Sequence, residues 1–418
     1  MSDAKQFLTE HNDLTRRFFL RCGVTLAAGT AVAANANAAD TPAELAPVLE
    51  KLESYFTTQD KFGDVSRGRP VPHTLPLAKK KEVGLTRETW SLDIISDPDN
   101  PATLGKQFTK KDNTAIDFAA LVKLGEKHAV RFAKVMTCLN IGCPLGMGIW
   151  EGVPLRTLVW LTQPRENLRR VFYYGYHNDD PKQIFRSSLP VGRILEDPDN
   201  VPPVIACYKL NGEWLTPERG APVRIVVPEH YGYKSVKWLT HVVLSNLYHA
   251  NDTYGTQNND VDSPMKTFAA TIHVPNEAKA DTPIPITGYA QSGISGLSKV
   301  QVWVSPAGKG WDKDDPYFTT APWTNATILP LPKKLGGDLP GGAIPKDTMG
   351  FDATGKPAEW PMRLAKAHWA ALLPGLPAGE YTLRCRTIDV KGAAQPMPRP
   401  FKKSGRCDIE ATKFTVAG

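Results

Sequence analysis

The side chains best suited to chemistry in this sequence are a cysteine and a group of basic residues. Cys138 follows an apolar, strand-like run at residues 133–136, and a thiolate there could bind a soft metal ion. Judged by residue type alone, a single cysteine beside such a run is more often a small buried hydrophobic side chain. Arg219, Arg224 and Lys237 lie on short segments separated by turns, so they either bind an anion or form the solvated ends of strands. The residue types leave both choices open.

The motifs around these residues indicate whether Cys138 binds a metal and whether the basic residues bind an anion. Residues 219–224 read Arg-Gly-Ala-Pro-Val-Arg, and residues 235–239 read Ser-Val-Lys-Trp-Leu. Together with the Cys138 segment and with Arg-Gly-Arg-Pro-Val-Pro at residues 67–72, they resemble the sulfite oxidase family of molybdopterin enzymes. The similarity covers roughly residues 60–418 and favours metal binding at Cys138 and anion binding at the basic group.

The resemblance implies a molybdenum ion held by a pterin dithiolene and by the thiolate of Cys138, a soft ligand that suits this metal. Arg67 resembles the family arginine that reaches substrate and cofactor, and Tyr254 resembles the tyrosine beside the metal's oxo ligand, where it would assist proton movement. The pterin phosphate requires cations, and arginine forks match its oxygens. The residues that match the family's cofactor-binding positions are Arg67, Cys138, His177, Arg219, Arg224, Ser235, Val236 and Lys237.

One position departs from the family pattern. Eukaryotic sulfite oxidases carry an arginine five residues after the ligand cysteine, and this sequence has Cys143 there. Losing one charge-assisted contact weakens the binding of an anion by roughly 1.5–3 kcal/mol. We expect Arg69, Arg406 or Lys402 to replace that charge. The pattern resembles more closely the bacterial branch that includes the sulfane dehydrogenase of sulfur-oxidising systems.

The predicted fold class is α+β: a mixed α+β molybdopterin-binding domain followed by an all-β immunoglobulin-like sandwich. The resemblance implies that the sandwich is the dimerisation domain. We expect residues 39–262 to form the first domain, 263–281 a linker and 282–418 the sandwich. Periodicity predicts helices near residues 46–56, 117–124 and 150–161, and a strand over 89–95. A Gly/Pro-rich insert near residues 331–355 interrupts the predicted sandwich.

The first 38 residues have the features of an export signal. The pair Arg16-Arg17 precedes an apolar run at about residues 24–34, and residues 36–38 form an Ala-x-Ala cleavage site. Such a pair before a weakly hydrophobic run is typical of the twin-arginine route. The run is too short for an ordinary membrane span, although an uncleaved anchor or a Sec signal remains an alternative. We therefore expect a periplasmic mature protein with no membrane span.

The remaining composition narrows the class of protein. The five cysteines beyond the signal include no C-x-x-C-H haem motif, so we expect no haem in this chain. Cys385 and Cys407 lie on β-like segments and either pair in a disulfide or remain free. The formal net charge is +7 without a long basic block, which argues against a nucleic-acid partner and suits anionic substrates or an acidic redox partner.

These features predict a periplasmic mononuclear molybdenum oxidoreductase. It would oxidise sulfite or a related sulfur compound by oxygen-atom transfer and pass electrons to a separate c-type cytochrome, as a homodimer. One alternative is a reductase of sulfoxides, although that branch lacks the second domain. The other is an exported binding protein that keeps the fold without catalysis.

Overall fold

The computed structural model of the protein describes residues 42–418. The predicted export signal at residues 1–38 therefore lies outside the described residues. Among residues 42–418, no helix combines the length and the apolar character needed to cross a membrane.

The regular elements in the described part of the chain are mostly strands. Within residues 42–418 the α-helices are α1 (Ala46–Leu49), α2 (Leu77–Glu82), α3 (Phe118–His128), α4 (Leu155–Leu161) and α5 (Val191–Leu195). The strands in the same part of the chain are β1 (Ser91–Ser96), β2 (Ile116–Asp117), β3 (Val130–Thr137), β4 (Pro144–Pro154), β5 (Arg170–Gly175), β6 (Arg186–Pro190), β7 (Ile205–Leu210), β8 (Glu213–Trp214), β9 (Arg224–Val226), β10 (Leu239–Ser245), β11 (Phe268–His273), β12 (Glu277–Lys279), β13 (Ile284–Gln291), β14 (Leu297–Pro306), β15 (Thr324–Ile328), β16 (Thr348–Met349), β17 (Lys366–Leu373), β18 (Gly379–Asp389) and β19 (Glu410–Ala417).

The predicted helices are present with different boundaries. The helix expected from residue 117 is confirmed as α3, where the Asp117 side chain accepts a hydrogen bond from the Ala120 amide at 2.7 Å and caps the first turn. The helix expected over residues 150–161 begins only after Pro154, because residues 150–154 belong to β4.

The helix expected over residues 46–56 is wrong in length, since α1 ends at Leu49. Beyond it the chain turns away to make tertiary contacts. The Tyr55 ring lies 4.4 Å from the His368 ring, and the Thr57 amide donates to the Met147 carbonyl at 2.8 Å. These contacts with two different sheets outweigh the local helical preference.

Two sheets form the N-terminal part of the fold. One has the strand order β2-β1-β10-β5-β6, and the other has the order β16-β3-β4-β7-β8, with β9 paired to β7. Apolar residues from both sheets and from α4 form a large buried core, in which Leu92, Val171 and Ile225 are completely inaccessible. This mixture of helices and sheets is the predicted α+β architecture, and its loops carry the candidate site.

The C-terminal part is an all-β sandwich. Its strand path is β11-β13-β17-β15-β14-β18-β19-β12 in the described part of the chain. Strand β15 pairs with β17 on one side and with β14 on the other, so it connects the two layers. The layers enclose a core around Trp369, and Gly288 lets this ring approach the backbone because a Cβ there would lie 2.2 Å from it.

Two segments form strands whose pairing was not predicted from the sequence. Residues 263–281, the expected linker, carry β11 and β12, which pair with β13 and β19. This interval therefore adds strands to the sandwich rather than forming a free connection. The Gly/Pro-rich insert near residues 331–355 leaves the sandwich, and its short strand β16 pairs with β3 of the other part.

Candidate active site

One cavity collects the predicted site residues. It encloses about 970 Å³ including its open mouth, which is the size range of cofactor sites. The predicted residues that line it are Arg67, Cys138, His177, Arg219, Arg224, Ser235, Val236, Lys237 and Tyr254. These residues are distant in sequence, so their convergence depends on the fold.

Loops at strand ends position the cavity residues. Cys138 follows directly after β3, while His177 lies in the loop after β5. Two glycines allow the required close approaches. A Cβ on Gly175 would lie 2.1 Å from the Lys237 carbonyl, and one on Gly68 would lie 2.4 Å from the His177 carbonyl. Gly68 also has φ +107°, which other residues rarely adopt.

Arg224 lies at the base of the basic group and is 4% exposed. Its guanidinium donates to the carbonyl oxygens of Arg219 at 2.9 Å and Ser235 at 2.7 Å, and it lies 5.1 Å from the centre of the Trp150 ring. Burial lowers the pKa of Arg224 to about 10, so it is charged at neutral pH. The surrounding backbone thus fixes a buried positive charge at the cavity wall.

Two further cations lie beside Arg224. The Lys237 ammonium contacts the Asp64 carboxylate at 2.6 Å and the Ser66 hydroxyl at 2.9 Å. Burial and the charges of Arg224 and Arg219 lower the pKa of Lys237 to about 8, against the opposing effect of Asp64. Arg219 donates to the Gly63 carbonyl at 3.0 Å and lies 3.8 Å from Asp64. We call Arg219, Arg224 and Lys237 the basic cluster.

The basic cluster fits a bound phosphate. The Asp64 carboxylate contacts Lys237 and Arg219, and its one negative charge offsets only part of the three positive charges of the cluster. The Nε of Arg219 is buried and has no hydrogen-bond partner among residues 42–418. Such a donor requires a partner, because an unsatisfied buried group costs about 1–3 kcal/mol. A phosphate oxygen would satisfy it, and the donor set therefore agrees with a phosphate-bearing pterin.

The other half of the cavity surrounds Cys138, which is partly buried. The Tyr254 ring stacks on Tyr233 at 4.2 Å and meets Phe185 edge-on at 5.7 Å. The Arg67 guanidinium lies 4.1 Å from the centre of the Phe185 ring and 5.9 Å from that of Tyr254.

Two titratable groups in this half keep a neutral form. Burial raises the pKa of the Tyr254 hydroxyl, and Arg67 opposes this effect, so the phenol keeps its proton at neutral pH. Burial and the charge of Arg67 lower the pKa of His177, which favours its neutral ring. A neutral phenol and a neutral imidazole can both exchange protons with a bound substrate.

The C-terminal part of the chain holds the cysteine loop in place. The Arg406 amide donates to the Leu139 carbonyl at 2.9 Å, and the Arg406 methylenes lie beside Gly142, 3.1 Å from where its Cβ would be. Cys143 is a free thiol in this loop, and burial raises its pKa.

The remaining cysteines lie away from the cavity. Cys385 and Cys407 are both buried and free, so no disulfide joins them. Their thiols contact different partners, the Glu410 carboxylate and the Thr267 carbonyl. Across residues 42–418, no group of three or more His, Cys, Asp or Glu side chains could hold a metal ion without a cofactor.

Sequence reasoning missed several residues of the site. Phe185 and Tyr233 line the cavity and enclose Tyr254, but an aromatic residue in a polar loop gives no signal of this role. Asp64 and Ser66 precede the Arg67 motif by only a few positions, and this proximity in sequence could have indicated that they belong to the site.

Comparisons with known proteins agree with this geometry. Residues 81–252 match the model of the oxidoreductase molybdopterin-binding domain. The sequence is 28% identical over 292 residues to the sulfite oxidase of Gallus gallus, which covers 65% of this chain and 61% of that protein. Residues 81–252 therefore form a molybdopterin-binding oxidoreductase domain, and the chain resembles the sulfite oxidase family.

Other relatives of this chain differ in length and activity. The sequence is 28% identical over 216 residues to the NADPH nitrate reductase of Beauveria bassiana, covering 49% of this chain and 23% of that protein. The matched part thus spans less than two thirds of either relative's own length. The fold is similar to that of the sulfane dehydrogenase SoxCD from Paracoccus pantotrophus, with a TM-score of 0.54 and 16% identity over 93% of each chain.

Proposed function

We propose that this protein is a mononuclear molybdenum oxidoreductase that oxidises sulfite or a related sulfur compound. The observation that carries the proposal is the convergence of Cys138, Tyr254, Arg67 and the basic cluster on one cavity. The sulfite oxidase match also extends over 65% of the chain, against 49% for the nitrate reductase of Beauveria bassiana. The match to sulfite oxidase supports a sulfur substrate.

Different residues of the cavity would hold the metal and the pterin phosphate of the cofactor. The Cys138 thiolate would bind the metal, and the basic cluster with Ser235 and the Val236 backbone would hold the pterin phosphate. When bound, the molybdenum pterin supplies two-electron oxygen-atom transfer. Phe185 and Tyr233 shield Tyr254 from water, so its hydroxyl can hold or deliver a proton at the reaction centre.

The substrate anion would approach through a mouth lined by Arg67, Arg69 and His177. Arg69 is therefore the best of the three basic residues that could replace the family arginine at Cys143. Arg406 instead pairs with Asp408 at 2.7 Å and is largely exposed. Lys402 lies in a separate cleft on the other side of the cysteine loop.

The electrons would leave one at a time to a separate c-type cytochrome. The twin-arginine pattern of the sequence supports export to the periplasm, where such acceptors occur. The sandwich supports a homodimer by its likeness to the family's dimerisation domain, which is an argument from analogy. The positive net charge suits an acidic acceptor, so the rate of electron transfer should fall as ionic strength rises.

The test measures molybdenum per chain and sulfite oxidation in wild type, Cys138→Ser and a control, Cys385→Ser. Cys385 is completely buried in β18 of the sandwich, away from the cavity, so its variant checks for general effects of losing a thiol. We expect nearly one molybdenum per chain in wild type and control, and loss of sulfite oxidation only in Cys138→Ser.

Other outcomes would identify the alternatives. Wild-type protein that lacks molybdenum after expression in a cofactor-competent host would contradict the proposal and favour a binding protein. A molybdenum-loaded protein that reduces sulfoxides but leaves sulfite unchanged would favour the reductase.

A further inference from the structure

Asp64 lies next to the basic cluster without lining the cavity itself. Its Oδ1 atom accepts from the Lys237 ammonium at 2.6 Å and from the Ser66 hydroxyl at 2.7 Å. The same Ser66 hydroxyl accepts from Lys237 at 2.9 Å, which closes a triangle of contacts. Lysine normally rotates freely about its long stem, so three linked contacts fix its ammonium in one place.

The segment that carries Asp64 is itself anchored. The Gly63 amide donates to the Leu145 carbonyl at 2.7 Å, and the Gly63 carbonyl accepts from Arg219 at 3.0 Å. The carboxylate therefore has a fixed position on the outer side of Lys237. Its side chain is 34% exposed, whereas that of Lys237 is 12% exposed.

The charges around Lys237 explain why this carboxylate matters. Arg224 and Arg219 both repel the ammonium, burial penalises its charge, and Asp64 is the carboxylate that opposes these effects. The neighbouring Trp238 ring, 5.4 Å away, contributes a weaker attraction. Without Asp64, the pKa of Lys237 would be lower, and its ammonium would no longer be held in one position.

We propose that Asp64 is a positioning residue for phosphate binding, which fixes the Lys237 ammonium beside Arg219 and Arg224 and keeps it protonated. Asp64 then determines the pH range in which the cluster binds the phosphate group of the cofactor. This inference rests on the proposed function, because it takes the basic cluster to be the phosphate site.

The test titrates glycerol phosphate, a phosphate monoester, into the full chain, produced without cofactor, by calorimetry between about pH 7 and pH 9. The charge of the probe is nearly constant there because the second pKa of phosphate monoesters is about 6. The upper limit lies below the Arg224 pKa of about 10. In wild type we expect constant affinity up to the Lys237 pKa of about 8. Above it, affinity should fall roughly tenfold per pH unit, since binding then requires proton uptake.

Three variants separate positioning from simple structural support. In Asp64→Asn the decline should begin at least about one pH unit lower, the usual effect of one close opposite charge. In Lys237→Arg the decline should disappear, because a guanidinium stays charged. The matched control is Asp408→Asn, which removes a carboxylate paired with an arginine at 2.7 Å outside the cavity, and it should follow wild type.

Ser66→Ala gives a second view if Asp64→Asn folds poorly. It removes the hydroxyl bridge but keeps the carboxylate, so the decline should shift in the same direction by less. A wild-type profile in Asp64→Asn would overturn the inference, as would an equal loss of affinity at every pH. Phosphate binding that is unchanged in Lys237→Met would remove the cluster as the phosphate site and contradict the proposed function as well.

Discussion

Replacing Arg224 by methionine should remove the cofactor while leaving most of the folding free energy intact. The guanidinium makes two short hydrogen bonds to carbonyl oxygens, at 2.9 and 2.7 Å. Charged hydrogen bonds contribute about 1.5–3 kcal/mol each, or about 3–6 kcal/mol together. Against this, burial lowers the pKa from 12.5 to about 10, a cost of about 3 kcal/mol for keeping the charge.

The two effects leave a net destabilisation of about 0–3 kcal/mol, because methionine also keeps the packing against Trp150. The free energy of unfolding can be measured by urea titration with tryptophan fluorescence, and molybdenum content by elemental analysis. Arg186→Met is the matched control, since Arg186 also lies over an aromatic ring, 4.7 Å from the centre of Phe172, and donates to the Asn251 carbonyl.

We expect molybdenum to be nearly absent from Arg224→Met and normal in Arg186→Met. Full molybdenum content in Arg224→Met would refute the assignment of the cluster to the cofactor phosphate. A loss of more than about 5 kcal/mol in unfolding free energy would refute the estimate that the cost of burying the charge offsets much of its hydrogen bonding.

The remaining predictions concern a proton donor, a buried lysine and a glycine. Tyr254→Phe keeps the stack on Tyr233 but removes the hydroxyl, so kcat for sulfite should fall roughly 100-fold or more at unchanged molybdenum content, as steady-state kinetics would show. Burial lowers the pKa of Lys134 to about 7, so the folded state binds fewer protons than the unfolded state from there up to the ordinary value of 10.5. The unfolding free energy of wild type should therefore rise with pH across that window, and urea titrations of Lys134→Met should lack this rise; equal slopes would contradict the assignment. Gly288→Ala would place a Cβ 2.2 Å from both the Ala270 carbonyl and the Trp369 ring, and thermal or urea unfolding should show a loss of about 1–3 kcal/mol or more; a variant as stable as wild type would show that the sandwich can relax there.

Local pattern predicted those parts of the fold in which neighbouring residues determine the structure. The helix after Asp117 has its own cap and needs no distant contact, so its start was predictable. The segment after Leu49 was predicted as helix and is irregular, because Tyr55 and Thr57 contact distant strands. Sequence periodicity carries no information about such contacts.

The same distinction applies to the candidate site. Cys138 and the basic cluster were found through motifs, and the structure brings them to one cavity. Asp64 was missed because its importance comes from a contact with Lys237, which follows 173 positions later. Strands β11 and β12, within the expected linker at residues 263–281, were missed for a related reason, since only their pairing with β13 and β19 identifies them.

The contact between Arg406 and Leu139 has a consequence for the order of biosynthesis. The loop that presents the thiol proposed to bind the metal is held by a backbone amide that the ribosome adds long after the cysteine itself. A nascent polypeptide that stops short of this residue has the cysteine but lacks the support for its loop. Insertion of the cofactor should therefore follow translation of residue 406, and chains truncated before it should accumulate without metal.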